Sequence, residues 1–263
     1  MAVAEVGSVR LHYRIEGAAN GSVLVLIHSL GTDLSMWDGV AANLARDHRV
    51  LRFDLRGHGA SSVPSGPWRL ADFGHDLLAL LDTLDLASGD LAGTSLGGMI
   101  AMWIAIHAPT RAGRLILANT AARVGTREGW QARIADVRTA SMAEVAKGAA
   151  ERWFTSAFRE SHPEEVTRLT HLLASSSEEG YIASCAALGD ADLIANLSDI
   201  HAPALIVAGA CDLVTTPADG RRLQQGIAGA RYVELPGAHL CAAELPDPFS
   251  SAVREFLQET SHG

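Results

Sequence analysis

The stretch Gly93-Thr94-Ser95-Leu96-Gly97, followed at once by Gly98, constrains this chain more than any other. Asp90-Leu91-Ala92 before it reads as a short strand. Met99 to Ile106 after it is apolar almost all round and stops short of Pro109, and a helix apolar on every face is one packed on all sides. The local prediction is strand, very tight turn, buried helix, with one serine at the turn. Glycines two residues either side of Ser95 let the strand and the helix approach closely while the serine takes a strained backbone conformation. This is the G-x-S-x-G pattern of a nucleophile elbow, and the flanking elements supply the context the pattern requires.

The rest of the chain supplies a sheet to carry that elbow. Val9 to Ile15 alternates apolar and polar as a half-exposed strand does. Val23-Leu24-Val25-Leu26-Ile27, Val50 to Asp54, Arg114 to Asn119 and Ala204 to Gly209 are apolar runs of buried strands, and Arg231 to Leu235 is a last strand. Helices are expected over Trp37–Leu44, Leu70–Leu84, from Thr216-Pro217 with proline at the first helical position, and over Pro246–Glu259. Strands alternating with helices imply parallel strands joined by right-handed crossovers, hence an α/β sheet.

The alternation stops between about Thr120 and Leu197. Ser141-Met142-Ala143-Glu144, Ser161-His162-Pro163-Glu164 and Ser176-Ser177-Glu178-Glu179 match a capping box there. The expectation is a helical cap of about four helices at 120–197, inserted into a core made of 1–119 and 198–263.

A serine nucleophile needs a base, and the base needs an acid to orient it. On a sheet with this elbow the order along the chain is Ser, then Asp or Glu, then His, each just past a strand. His239 follows the last strand and Asp212 follows the one before it. The competing position for the acid, past the strand that precedes the cap, holds Asn119. The expected catalytic residues are therefore Ser95, Asp212 and His239. The oxyanion hole is expected from the N–H of Leu96, after the nucleophile, and of Leu30, past the early strand. His28, His58 and Arg56 read as groups that hold the strand-end loops, and His12, His48, His162 and His171 as surface residues without a role.

In the predicted helix Glu128–Arg138, Trp130, Ile134 and Val137 form one apolar stripe, and Arg133 lies within it. Arg133 is the candidate substrate-binding cation. Trp153, sharing a predicted face with Met142, Val145 and Ala149, is the candidate pocket wall.

Net charge is −9 with the histidines neutral, which argues against a nucleic-acid or anionic-membrane partner. No apolar run reaches membrane-spanning length, and the stretch Met1 to Val6 lacks the features of a secretory signal. Cys185, Cys211 and Cys241 have no ligand-like spacing and read as buried residues in a reducing cytoplasm. Neither a metal nor another cofactor is expected; oligomeric state is left open.

From Val23 onward the chain resembles the 3-oxoadipate enol-lactonases, capped α/β-hydrolases. The resemblance lies in His28-Ser29-Leu30-Gly31-Thr32-Asp33, Asp54-Leu55-Arg56-Gly57-His58-Gly59, Gly93 to Met99, Arg152-Trp153-Phe154-Thr155, Glu179-Gly180-Tyr181, Gly209 to Pro217 and Ala238-His239-Leu240. Many α/β-hydrolases carry His-Gly where this chain has His28-Ser29, so Ser29 departs from the wider pattern and suits the lactonases. The resemblance implies an α/β-hydrolase fold, with a mostly parallel central sheet, flanking helices and an inserted cap. It also implies opening of a carboxylated enol-lactone through a Ser-His-Asp acyl-enzyme. A general esterase or a carbon–carbon bond hydrolase with the same triad is the rival, and a non-catalytic binding protein on this fold is a third reading.

Overall fold

The continuous apolar runs form the middle of a single eight-stranded sheet in the computed structural model, which describes residues 2–259. Met1 and residues 260–263, at the ends of the predicted core segments, lie outside the described residues. The chain begins β1 (Ala2–Val6), β2 (Val9–Gly17), β3 (Val23–Ile27), α1 (Asp38–Leu44), β4 (Arg49–Phe53), α2 (Leu70–Thr83), β5 (Gly89–Thr94), α3 (Leu96–His107) and β6 (Ala112–Ala118). There follow α4 (Arg127–Thr139), α5 (Met142–Ala146), α6 (Ala149–Trp153), α7 (Ser156–Ser161), α8 (Pro163–Ala174) and α9 (Glu178–Asp190). The sheet then resumes with β7 (Ala204–Gly209), α10 (Pro217–Gly226), β8 (Arg231–Leu235), α11 (Cys241–Glu244) and α12 (Pro246–Gln258).

Strand order is β1-β2-β4-β3-β5-β6-β7-β8. The β1–β2 and β2–β4 pairs are antiparallel, and every pair from β4 to β8 is parallel. Every residue of β7 is buried, as are the four that end β3 and β6, so helices cover both faces there. From β3 the chain goes first to β4 on one side and then to β5 on the other. The crevice at such a reversal, past the strands' C-terminal ends, is where open α/β sheets bind ligands. The loop after β3 and the elbow after β5 both open there.

Several local expectations are corrected. β1 joins the sheet by pairing with β2, a pairing that its short alternating sequence did not signal. Six α-helices, not about four, lie between β6 and β7. Ser141 caps α5 as expected, but Ser161 donates to the Ala157 carbonyl (2.7 Å) and so closes α7 instead of opening α8. Ser176 likewise bonds back to Leu172 (2.8 Å), and Ser177 caps α9. A serine next to a helix end can bond forward or backward, and the preceding helix captured both. The predicted face joining Met142 to Trp153 breaks at Gly148 into α5 and α6, although all four of its apolar residues are buried.

His48 is buried, and His12 bonds the buried Asp54 at 2.7 Å, so neither is a plain surface histidine. Cys211 is exposed, whereas Cys185 and Cys241 are buried; all three are free thiols.

Candidate active site

The elbow is built from close approach. A Cβ on Gly93 would overlap the Gly97 carbonyl, and one on Gly97 would overlap the Ile27 carbonyl. Glycine at both positions brings α3 down onto β3 and β5. Ser95 between them has φ 56° and ψ −115°, a region that side-chain-bearing residues rarely adopt. Ser95 N–H donates to the Ala118 and Asn119 carbonyls (both 3.1 Å), which holds the turn in place. Ser95 is only 4% exposed, covered by the helices above it and not solvent-facing as the turn alone would suggest.

Past β7, Asp212 is saturated with donors. Its Oδ1 accepts the N–H groups of Val214 (2.8 Å) and Thr215 (3.1 Å). Its Oδ2 accepts from His239 Nδ1 (2.9 Å), Asn119 Nδ2 (2.9 Å) and Thr215 Oγ1 (2.8 Å). Burial pushes this carboxyl up, but the charge and hydrogen bond of His239, with those of Asn119 and Val214, outweigh it and hold Asp212 below the usual carboxylate range. Asp212 is thus an anion placed to fix the His239 tautomer with its proton on Nδ1. Ser95 and His239 face one cavity, with no hydrogen bond joining them.

Asn119 and Thr215 had no part in the sequence reading beyond Asn119 as a rival position for the acid. Asn119 sits past β6 with φ 43°, donates to Asp212 and to the Ala238 carbonyl (3.0 Å), and so ties together the loops that carry the acid and the histidine. Glu244, also missed, is buried and receives Ala238 N–H (2.9 Å) and the Thr155 hydroxyl. With the Leu240 N–H bond to the Trp153 carbonyl (3.0 Å), it attaches the helices between β6 and β7 to the histidine loop.

The candidate oxyanion donors lie on the two facing loops. Among the described residues neither the Leu30 nor the Leu96 N–H has a protein acceptor, and Leu96 is the first residue of α3, where the N–H is free and the helix dipole positive. His28 holds the Leu30 loop from below. Leu55 N–H donates to His28 Nε2 (2.9 Å), so the ring proton is on Nδ1, which donates to the Ser29 carbonyl (2.8 Å). His58 packs edge-on against His28 with ring centroids 5.1 Å apart. Arg56 is clamped by Asp76 (2.6 and 2.7 Å) on α2. All three hold loops, as their positions suggested.

Burial keeps both histidines neutral: it takes His58 down to about 4 and His28 well below the usual imidazole value. The unfolded chain protonates them near pH 6.5, so between that value and about 4 it holds more protons than the fold, and stability falls as pH falls. His58 alone should remove about 2 kcal/mol of stability between pH 7 and pH 5. Urea midpoints measured across that range should show it, and His58→Gln should flatten the slope. An unchanged slope in the variant would place the protonation elsewhere.

The cavity over Ser95, of about 130 Å³, is lined by Leu30 and His239 from the sheet side and by Trp130, Arg133, Arg152 and Trp153 from α4 and α6. Arg133 and Trp153, read as candidates from one helical stripe and one shared face, are thus brought to the same space as Ser95. Trp130, Arg152 and Tyr181 were missed as lining residues. Trp130 bonds the Val124 carbonyl through Nε1 (2.6 Å), which turns its ring inward. Among the described residues no group of three or more His, Cys, Asp or Glu is arranged to hold a metal ion, and no helix is long and apolar enough to cross a membrane.

Comparison with known proteins agrees with this architecture. The family described as alpha/beta hydrolase fold matches residues 22–137. The chain is 42% identical to 3-oxoadipate enol-lactonase 2 of Acinetobacter baylyi over 95% of this chain and 94% of that one. Among solved structures, the enol-lactonase of Burkholderia xenovorans LB400 superposes with a TM-score of 0.96 at 42% identity, covering 98% of this chain and 100% of the other. A thermophilic esterase from Thermogutta terrifontis, solved with malate bound, is similar at 26% identity and TM-score 0.90, covering 97% and 95%.

Proposed function

This chain belongs to the 3-oxoadipate enol-lactonase family of the α/β-hydrolase fold, and on that footing we propose that it hydrolyses 3-oxoadipate enol-lactone to 3-oxoadipate, in the cytoplasm, beneath a cap made by residues 120–197. The observation that carries the substrate reading is Arg133, which with Arg152 lines the cavity over Ser95 among Trp130, Trp153, Leu30 and Leu173. An ester hydrolase for neutral substrates needs only the apolar walls. A carboxylated lactone needs a cation there.

In this reading Ser95 Oγ attacks the lactone carbonyl carbon while His239 takes its proton at Nε2, and Asp212 holds Nδ1–H. The Leu30 and Leu96 N–H groups receive the oxyanion. The ring C–O bond then breaks. The departing enolate takes the proton from His239 and tautomerises to the ketone, leaving an acyl-enzyme whose leaving group is still tethered. Water deprotonated by His239 attacks that ester, Ser95 recovers its proton, and the keto-dicarboxylate leaves.

A rate comparison of the enol-lactone with short p-nitrophenyl esters tests this reading. A kcat/KM for the lactone at least a hundredfold higher is expected; parity would favour the esterase reading. The similarity to the Thermogutta esterase, solved with malate bound, is the observation behind that second reading.

The arginine carries its own prediction. An arginine–carboxylate pair is bidentate and directional, so lysine should replace it only in part. Arg133→Ala should weaken kcat/KM for the carboxylated lactone by about 2–4 kcal/mol. Hydrolysis of a neutral ester of similar size should barely change. An equal loss on both substrates would mean that Arg133 serves the fold of the cap and that the carboxylate binds elsewhere.

A further inference from the structure

The cavity over Ser95 is lined by two arginines, Arg133 from α4 and Arg152 from α6, and by no acidic residue. Neighbouring arginines of the same helical layer are paired: Arg127 with Asp190 and Arg168 with Glu165, both at 2.7 Å. Among the described residues, Arg133 and Arg152 make no such pair. Glu151, beside Arg152 in the chain, is exposed and lies 3.9 Å from Arg159. The other groups that could become negative stay neutral: burial raises the Tyr181 hydroxyl well above its usual range and the Cys185 thiol to about 12. Burial, together with the charge of Arg133, lowers Arg152 from the ordinary guanidinium value.

Two like charges in a small, half-buried cavity with no carboxylate directly paired to either are costly. Their complement is a ligand with two negative charges. The lactone of the proposed reaction has one carboxylate. Hydrolysis breaks its acyl C–O bond, adds the elements of water, releases a proton and leaves a second carboxylate, so the dianion exists only on the product side.

We propose that Arg152 acts with Arg133 to make this cavity a dicarboxylate site, which holds the ring-opened product class more tightly than a monocarboxylate of the same length. The proposal rests on the reading of the substrate given above. Its consequence is inhibition by the product and by inert aliphatic dicarboxylates of similar length. Each arginine then has its own carboxylate: Arg133 the one present throughout, Arg152 the one that hydrolysis creates.

Binding of adipate and of hexanoate, at matched ionic strength, can be read from the fluorescence of Trp130 and Trp153 without any turnover. Wild-type protein should bind adipate at least tenfold more tightly than hexanoate. Arg152→Gln should reduce that ratio to below about threefold while leaving hexanoate within twofold, and Arg152→Lys should recover part of it. Equal binding of the two acids by wild type would overturn the proposal, as would a ratio that survives in a folded Arg152→Gln protein. Urea midpoints establish that the variant is folded, and the Lys variant keeps the test informative if the Gln variant is not. Failure to hydrolyse the enol-lactone would remove the substrate reading separately, since the binding ratio needs no reaction.

Discussion

Ser95→Ala should lower kcat/KM for the enol-lactone by about 10⁴–10⁶-fold while leaving the protein folded. The hydroxyl has no hydrogen-bond partner among the described residues, so its loss leaves no buried group unpaired. The strained backbone at φ 56° is no worse for alanine than for serine, because both carry a Cβ. A residual rate above the uncatalysed one should persist, since the Leu30 and Leu96 N–H groups remain. Steady-state rates with thermal melts on the same sample decide the matter. Retention of even a tenth of wild-type turnover would sink the serine mechanism.

Asp212→Asn should cost about 10⁴-fold in kcat, on the precedent of triad acids replaced by their amides. The geometry gives the reason. Oδ1 receives two backbone N–H groups, so an asparagine must place its carbonyl oxygen there. Its amide nitrogen then faces His239, the Asn119 amide and the Thr215 hydroxyl, which all now donate to Oδ2. The clash is relieved when His239 turns Nδ1 into an acceptor, which moves the ring proton to Nε2, where the base must be bare. Asn119→Ala removes one of five donors and should cost far less, on the order of tenfold. If instead Asn119→Ala is crippling and Asp212→Asn nearly silent, the orienting group belongs to the loop after β6.

Much of this was legible along the chain because the features are local. Gly93 and Gly97 are needed where strand and helix touch, and the need is set within five residues. The β3, β6 and β7 runs are apolar because both of their faces are covered. Asp212 and His239 could be placed because each lies within four residues of a strand end that its own apolar run defines. The helices between β6 and β7 were less legible, since their breaks depend on competition between neighbouring hydroxyls and on Gly148, which propensity does not resolve.

The order Ser95, Asp212, His239 and the strands that present them were therefore determined by the sequence alone. The identity of the second layer was decided by tertiary structure. Asn119 meets Asp212 across 93 positions and Glu244 meets Thr155 across 89, and neither pairing has any periodic signature. The same holds for Arg152, Trp130 and Tyr181, which share the Ser95 cavity only because α4, α6 and α9 fold over it. A helical stripe shows which side chains face inward. Which other segment they face, and whether a counter-ion waits there, depends on packing between elements far apart in the chain, and local pattern carries no record of it.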